Sequence, residues 1–178
     1  MNYCNIKYCD IANGTGVRTV LFVSGCTHHC KGCFQPDTWD FDYGEEFTDE
    51  VADKIVESLA PEYIEGLTLL GGEPMEEVNQ AGLLPLLKKV RDRYGDTKNI
   101  WCYTGYTFED DLLDPKGKAH FDTTDGILSI IDILVDGEFH LEEKDITLRF
   151  RGSKNQRIID VKESLKTGET VRSAAENR

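Results

Sequence analysis

Cys26, Cys30 and Cys33 follow the spacing C-x3-C-x2-C, which offers three soft thiolates on one short loop. Thiolates in this arrangement select zinc, copper(I) or an iron–sulfur cluster. Structural zinc takes four closed ligands, usually from two separated pairs, whereas this loop supplies three sulfurs. His28 or His29 would complete a zinc site, and that alternative stays open. A [4Fe–4S] cubane bound by three cysteines leaves its fourth iron without a protein ligand and free to take a small molecule.

The cysteines sit where a strand ends. Val17–Ser24 is β-branched and apolar and runs directly into Gly25-Cys26, so it reads as a buried strand followed by a functional loop over 25–46. Thr48 with Asp49 and Glu50 looks like a helix start, and Val51, Ile55, Val56 and Leu59 recur on one face, with a stop near Pro61. Gly66–Leu70 is a second buried strand that delivers Gly71-Gly72-Glu73-Pro74. Asn79–Tyr94 has the periodicity of an amphipathic helix closed by Gly95, Asn99–Thr104 is a third strand, and Asp132–Asp136 a fourth. Thr107 and Thr124 are placed to cap two short helices between them. Residues 145–161 read as extended and 162–178 as a polar helical or frayed tail.

Alternating strands and helices imply an α/β fold with a mainly parallel sheet, whose site lies along the C-terminal strand ends. Four such units are too few for a closed barrel, so an open, partial (β/α) barrel is expected, as a single domain over 1–178. A chain of 178 residues should bury roughly 70% of its unfolded surface, enough for one core. A formal charge of −13 disfavours phosphate backbones, so nucleic acid is not an expected partner. Arg149, Arg151, Lys154 and Arg157 form the one basic stretch, readable as a patch for an acidic ligand or as a solvated strand end. No apolar run is long enough to span a bilayer and Met1-Asn2-Tyr3-Cys4 lacks the stages of a signal peptide, so a cytoplasmic location is expected. The six cysteines are then expected to be reduced.

Gly71-Gly-Glu-Pro74 has its own physical logic beside the cysteines. Two glycines allow close backbone approach or positive φ, Glu73 can accept hydrogen bonds from an ammonium group, and Pro74 fixes the exit direction. The cysteine triplet followed by this motif after the next strand resembles the radical S-adenosylmethionine superfamily. That resemblance implies one [4Fe–4S] cluster per chain on Cys26, Cys30 and Cys33, with S-adenosyl-L-methionine chelating the open iron and being cut to a 5′-deoxyadenosyl radical.

A narrower resemblance covers most of the chain, to the activating proteins of the anaerobic ribonucleoside-triphosphate reductase. It rests on four blocks: Asp10–Arg18, with Thr15 where proline is expected; Cys30-Lys-Gly32-Cys33-Phe34, continuing to Thr38-Trp39; Tyr103–Thr107; and Gly152–Arg157. Other superfamily members place an aromatic just before the last cysteine. Here Gly32 precedes Cys33 and Phe34 follows it, which favours the reductase activators over the longer pyruvate formate-lyase activators.

The resemblance implies an oxidoreductase that places a glycyl radical on an anaerobic (class III) ribonucleotide reductase, reduced by a low-potential donor such as flavodoxin. It implies cofactor contacts at Gly32, Cys33, Phe34, Gly71, Gly72, Glu73, Pro74, Thr104 and Asp136, and partner or cofactor contacts at Arg18, Asn155 and Arg157. No catalytic side chain beyond the cluster ligands is expected. His28, His29, His120 and His140 show no acid–base partner in the sequence, and Cys4, Cys9 and Cys102 lack metal-ligand spacing, Cys102 reading as core. The alternatives are another small radical enzyme, resembling 7-carboxy-7-deazaguanine synthase or another glycyl-radical-enzyme activase, and a non-enzymatic zinc or iron–sulfur module.

Overall fold

A computed structural model of the chain describes residues 1–177. Its strands are β1 (Asn2–Asp10), β2 (Val17–Val23), β3 (Glu45–Glu46), β4 (Ile64–Gly71), β5 (Asn99–Tyr103), β6 (Ile133–Asp136), β7 (Arg157–Asp160) and β8 (Val171–Arg172). Its helices are α1 (Asp49–Ser58), α2 (Glu77–Tyr94), α3 (Thr124–Leu128) and α4 (Val161–Thr167). All strands join one sheet in the order β3-β1-β2-β4-β5-β6-β7-β8.

The α/β class holds, but the sheet is not mainly parallel. Only β2–β4, β4–β5 and β5–β6 pair in parallel, while β1–β2, β1–β3, β6–β7 and β7–β8 are antiparallel. The parallel pairs are those joined by helical crossovers, as parallel connection requires. β1 escapes sequence reading because it carries no apolar run. Its exposed positions include Asn5, Lys7, Tyr8 and Cys9, and its pairing with β2 is broken by register shifts. β3 and β8 are two residues each, below any periodic signal, and the paired glutamates of β3 put charge on a sheet edge, which discourages further pairing.

The central elements follow their sequence logic. Thr48 Oγ1 accepts a hydrogen bond from Val51 N at 3.4 Å and starts α1, and Gly95 closes α2. Leu21 and Val23 of β2 and Leu67 and Leu69 of β4 join Ile55, Leu59, Leu83, Leu86, Leu87 and Cys102 in the main core. Trp101, Val135 and Ile158 form a smaller cluster with Ala175 on the opposite face, an alternation set by the two-residue period of strands. Among the described residues no helix is long and apolar enough to cross a membrane.

Other boundaries shift. The loop 25–46 contains a 3-10 turn at Pro36–Trp39 besides β3. Thr107 precedes a single wide turn, Phe108–Leu113, without capping it; its Oγ1 donates instead to Asp111 at 2.8 Å. Thr124 is the first residue of α3 rather than its cap, and its hydroxyl accepts from Phe121 N and shares its one proton between the buried Gln80 Oε1 at 2.8 Å and Ala119 O at 2.9 Å. Within 145–161 only β7 is paired in the sheet, and Val161 already begins α4. The tail is helical over Val161–Thr167, then returns as β8 and a 3-10 turn at Ala174–Asn177; its last residue lies outside the described residues.

Arg18 stands at the opposite end of β2 from the cysteines. It is completely buried, with Nε donating to Thr68 Oγ1 at 2.7 Å, Nη2 to Leu67 O at 2.8 Å, and its guanidinium 5.6 Å from the Trp101 ring centre. Burial lowers its pKa to about 10. This guanidinium closes the N-terminal side of the sheet interior and touches neither cavity described below, which corrects its expected role as a partner or cofactor contact. Arg18→Ala removes the buried donors to Thr68 Oγ1 and Leu67 O together with the packing on Trp101, so it is expected to cost about 3 kcal/mol, read as a lower urea midpoint.

Candidate functional site

The parallel strands β2, β4, β5 and β6 all stop at one edge, and each carries its chemistry just past its end. Cys26 follows β2, Gly72 and Glu73 follow β4, Thr104 and Gly105 follow β5, and Gly137 follows β6. These residues line a cavity of about 280 Å³ together with Cys30, Cys33, Phe34, Gly71, Tyr103, Phe139 and Gln156. Three thiols on one loop thus face the Gly71–Glu73 segment across a single space.

Backbone hydrogen bonds lace the two loops together. Gly72 N donates to Val23 O at 2.7 Å, Glu73 N to Gly25 O at 2.8 Å, and Gly25 N to Thr38 O at 2.8 Å. Asn79, fully buried in the first turn of α2, donates from Nδ2 to Ser24 O and to Glu73 O, each at 2.9 Å. The glycine pair is required by this lacing. Gly71 has φ +117°, and a Cβ on Gly72 would stand 2.5 Å from Gly25 O and 2.9 Å from Thr38 O.

The cysteines are free thiols, Cys26 buried and the other two partly exposed. Burial pushes the Cys26 thiol up to about 12 and raises Cys30 as well. Thiolate ligation by these residues would replace each thiol proton with a metal cation. Among the described residues no three His, Cys, Asp or Glu side chains converge on the position of one metal ion. A cubane takes its thiolates at separate corners, and Cys26, Cys30 and Cys33 all line the one cavity that would receive it. The histidines that would have completed a zinc site are engaged elsewhere: His28 Nε2 meets Glu73 at 2.9 Å, and His29 stacks on Trp39 with ring centres 4.5 Å apart.

Glu73 is 1% exposed. Its Oε1 accepts from Met75 N at 2.8 Å and its Oε2 from Gly105 N at 2.7 Å and from His28. Burial alone would lower the His28 pKa, but the hydrogen bond and charge of Glu73 prevail and leave it raised. His28 therefore has the acid–base partner that the sequence did not reveal. Of the remaining expected contacts, Thr104 lines the cavity, and its Oγ1 accepts from Tyr106 N at 3.1 Å. Phe34 stands at the mouth, 90% exposed, with Lys144 Nζ 5.8 Å from its ring centre. Gly32 and Pro74 do not line the space: a Cβ on Gly32 would stand 3.0 Å from Leu141, and Pro74 is buried.

Asp136 lies in a neighbouring cavity of about 430 Å³ that shares His28, Gly105 and Gly137 with the first. It is fully buried and already matched. Its Oδ1 accepts from Arg157 Nε at 2.8 Å, and its Oδ2 accepts from Phe108 N at 2.9 Å and from Arg157 Nη2. Arg157 also donates to Glu109, at 2.9 and 2.5 Å, and this pairing holds the Glu109 carboxyl down at about 2. Asn155 lines the same cavity, donating to Glu138 O at 2.8 Å, while its buried Oδ1 has no partner.

The basic stretch is thereby largely neutralised within the fold. Arg151 pairs with Glu176, Lys154 with Asp145 at 3.7 Å, Arg157 as above, and Arg149 lies over the Phe150 ring. Neither a free cationic patch nor a plain solvated strand end results.

The chain matches the family described as a 4Fe-4S single cluster domain over residues 12–159. It is also similar to curated proteins named anaerobic ribonucleoside-triphosphate reductase-activating protein. The one from Vibrio cholerae is 42% identical, with 89% of this chain and 97% of the relative aligned. Those from Escherichia coli, 39% identical over 88% of this chain and 96% of the relative, and from Enterobacteria phage T4, 38% identical over 89% and 93%, match at similar length.

Proposed function

The chain belongs to the anaerobic ribonucleoside-triphosphate reductase-activating protein family, and from that premise we propose that it is the enzyme that installs a glycyl radical on an anaerobic reductase. Cys26, Cys30 and Cys33 would hold one [4Fe–4S] cluster, which with bound S-adenosyl-L-methionine and one electron from a low-potential donor would supply the 5′-deoxyadenosyl radical chemistry that removes a hydrogen atom from a glycine of the reductase. The observation that carries the reading is the joint cavity, in which three thiols from one loop face the Gly71–Glu73 turn.

Each residue then has a task that needs no proton transfer. The three thiolates hold the cluster, and the Gly71-Gly72 backbone lets the cosubstrate approach the sheet edge. Glu73 offers its carboxylate to the methionine ammonium, and Thr104, at the end of β5, borders the same space. Asp136, bound to Arg157 and Phe108 N, supports the wall of the adjoining cavity rather than reaching the ammonium itself. An open partial barrel of the radical S-adenosylmethionine type would leave these strand ends accessible to a protein substrate. The whole chain acts as one domain, in the cytoplasm, with flavodoxin or a similar low-potential protein as the electron source.

Anaerobic reconstitution with iron and sulfide, followed by reduction with S-adenosyl-L-methionine present, tests the first half of this reading. One cluster per chain and release of 5′-deoxyadenosine are expected. A protein that binds zinc, stays colourless and releases none contradicts it.

A further inference from the structure

Glu73 cannot rest freely against its cavity, because three donors hold it. An ionised carboxylate has about four acceptor positions, and Met75 N, Gly105 N and His28 Nε2 occupy three of them, two on Oε2 and one on Oε1. The remaining position is on Oε1, in the carboxylate that lines the thiol cavity. Two of these donors are backbone groups fixed by their turns. The third is a side chain from the cysteine loop itself, between Cys26 and Cys30.

The fold is shaped to keep that imidazole in place. His28 lies against Tyr106 with ring centres 4.4 Å apart. A Cβ at Gly105 would come within 2.6 Å of His28 Nε2, so glycine is required there for the ring to reach Glu73. The preceding residue is anchored too, with Thr27 N and Oγ1 donating to Glu76 Oε1 at 2.8 and 2.6 Å. With Glu73 Oε2 as the acceptor, His28 donates from Nε2.

We propose that His28 is a positioning residue: its hydrogen bond to Glu73 fixes the carboxylate so that the vacant Oε1 position meets the ammonium group of S-adenosyl-L-methionine. This rests on the function proposed above. His28 borders the same cavity as the thiols, and its effect on the cosubstrate runs through Glu73. It also couples the two loops, so cosubstrate affinity depends on a side chain of the cysteine loop that is not itself a ligand.

The test uses the full, cluster-loaded chain and reads S-adenosyl-L-methionine binding from the change it causes in the electron paramagnetic resonance spectrum of the reduced cluster. His28→Leu keeps a ring-sized apolar body on Tyr106 without the donor. It is expected to retain wild-type iron and sulfide content and to bind the cosubstrate about tenfold more weakly, the loss of one hydrogen bond to a charged group. The KM for the cosubstrate should rise in proportion while kcat changes little. His28→Gln, long enough to donate to Glu73, should recover most of the affinity, whereas His28→Asn, which falls short, should not. In a Glu73→Gln background His28→Leu should have little further effect.

Wild-type affinity in His28→Leu, equal behaviour of the Gln and Asn variants, or additive losses in the double variant each overturn the positioning role while leaving the function intact. Cluster loss in all three His28 variants overturns it as well, by making His28 part of the cluster's support. No spectral response in the wild-type protein overturns both the function and the role built on it.

Discussion

Alanine at any one of Cys26, Cys30 or Cys33 is expected to yield a folded protein without its cluster, with iron and sulfide content and 5′-deoxyadenosine release both at background. The asymmetry between ligand loss and fold loss follows from where the thiols lie. Cys30 and Cys33 are partly exposed on a loop outside the main core, so truncating them removes little packing. Cys26 is buried at the end of β2, and its truncation costs on the order of 1 kcal/mol, which leaves a folded chain. The same change at Cys102, wholly buried among core residues of β5, should cost a comparable amount of stability and leave the cluster in place. Iron and sulfide analysis beside a urea titration separates the two groups. A Cys30→Ala or Cys33→Ala protein that keeps a full cluster contradicts the assignment.

Gly72→Ala is expected to be the most damaging change outside the cysteines. The added methyl meets the carbonyl oxygens of Gly25 and Thr38 at 2.5 and 2.9 Å, and both belong to backbone that cannot swing aside. Gly25 N donates to Thr38 O, and Gly25 O accepts from Glu73 N, so moving either strand of this lacing displaces the residue next to Cys26. The cost is about 3 kcal/mol of overpacking, together with loss of most cluster loading. Urea unfolding and iron content measure the two parts. A Gly72→Ala protein with an unchanged urea midpoint and full iron content contradicts the close approach.

The site was legible in sequence where chemistry dictates residue type. Thiolate ligation needs cysteines at fixed spacing on one loop, and close backbone approach needs glycine, so Cys26, Cys30, Cys33, Gly71 and Gly72 announce themselves in one dimension. The parallel centre of the sheet was legible for a related reason, since strands buried on both faces read as apolar runs. What escaped depends on three-dimensional partnership. His28 gains its meaning from Glu73, 45 residues away in sequence, and Asn79 from carbonyls 55 and six residues away. Nothing in their local sequence signals either contact. The only trace is the presence of polar Asn79 and Gln80 in the first turn of an otherwise apolar helix face, and both are fully buried and hydrogen-bonded.

The partnership of Asp136 and Arg157 was not readable from the sequence. The resemblance implied one as a cofactor contact and the other as a partner or cofactor contact, and the fold pairs them with each other and with Glu109. Residues 145–161 read as extended, but the antiparallel pairing of β7 with β6 could not be read from them, and the register Asp136↔Arg157 is what brings the two together.

The central claim is that the radical made at this site passes to a reductase. The direct measurement mixes the reduced, cluster-loaded protein with S-adenosyl-L-methionine and an anaerobic ribonucleoside-triphosphate reductase and records the electron paramagnetic resonance spectrum. The account predicts a glycyl doublet on the reductase that appears only when all three are present and is absent with Cys30→Ala. Release of 5′-deoxyadenosine with no doublet on the reductase would contradict it.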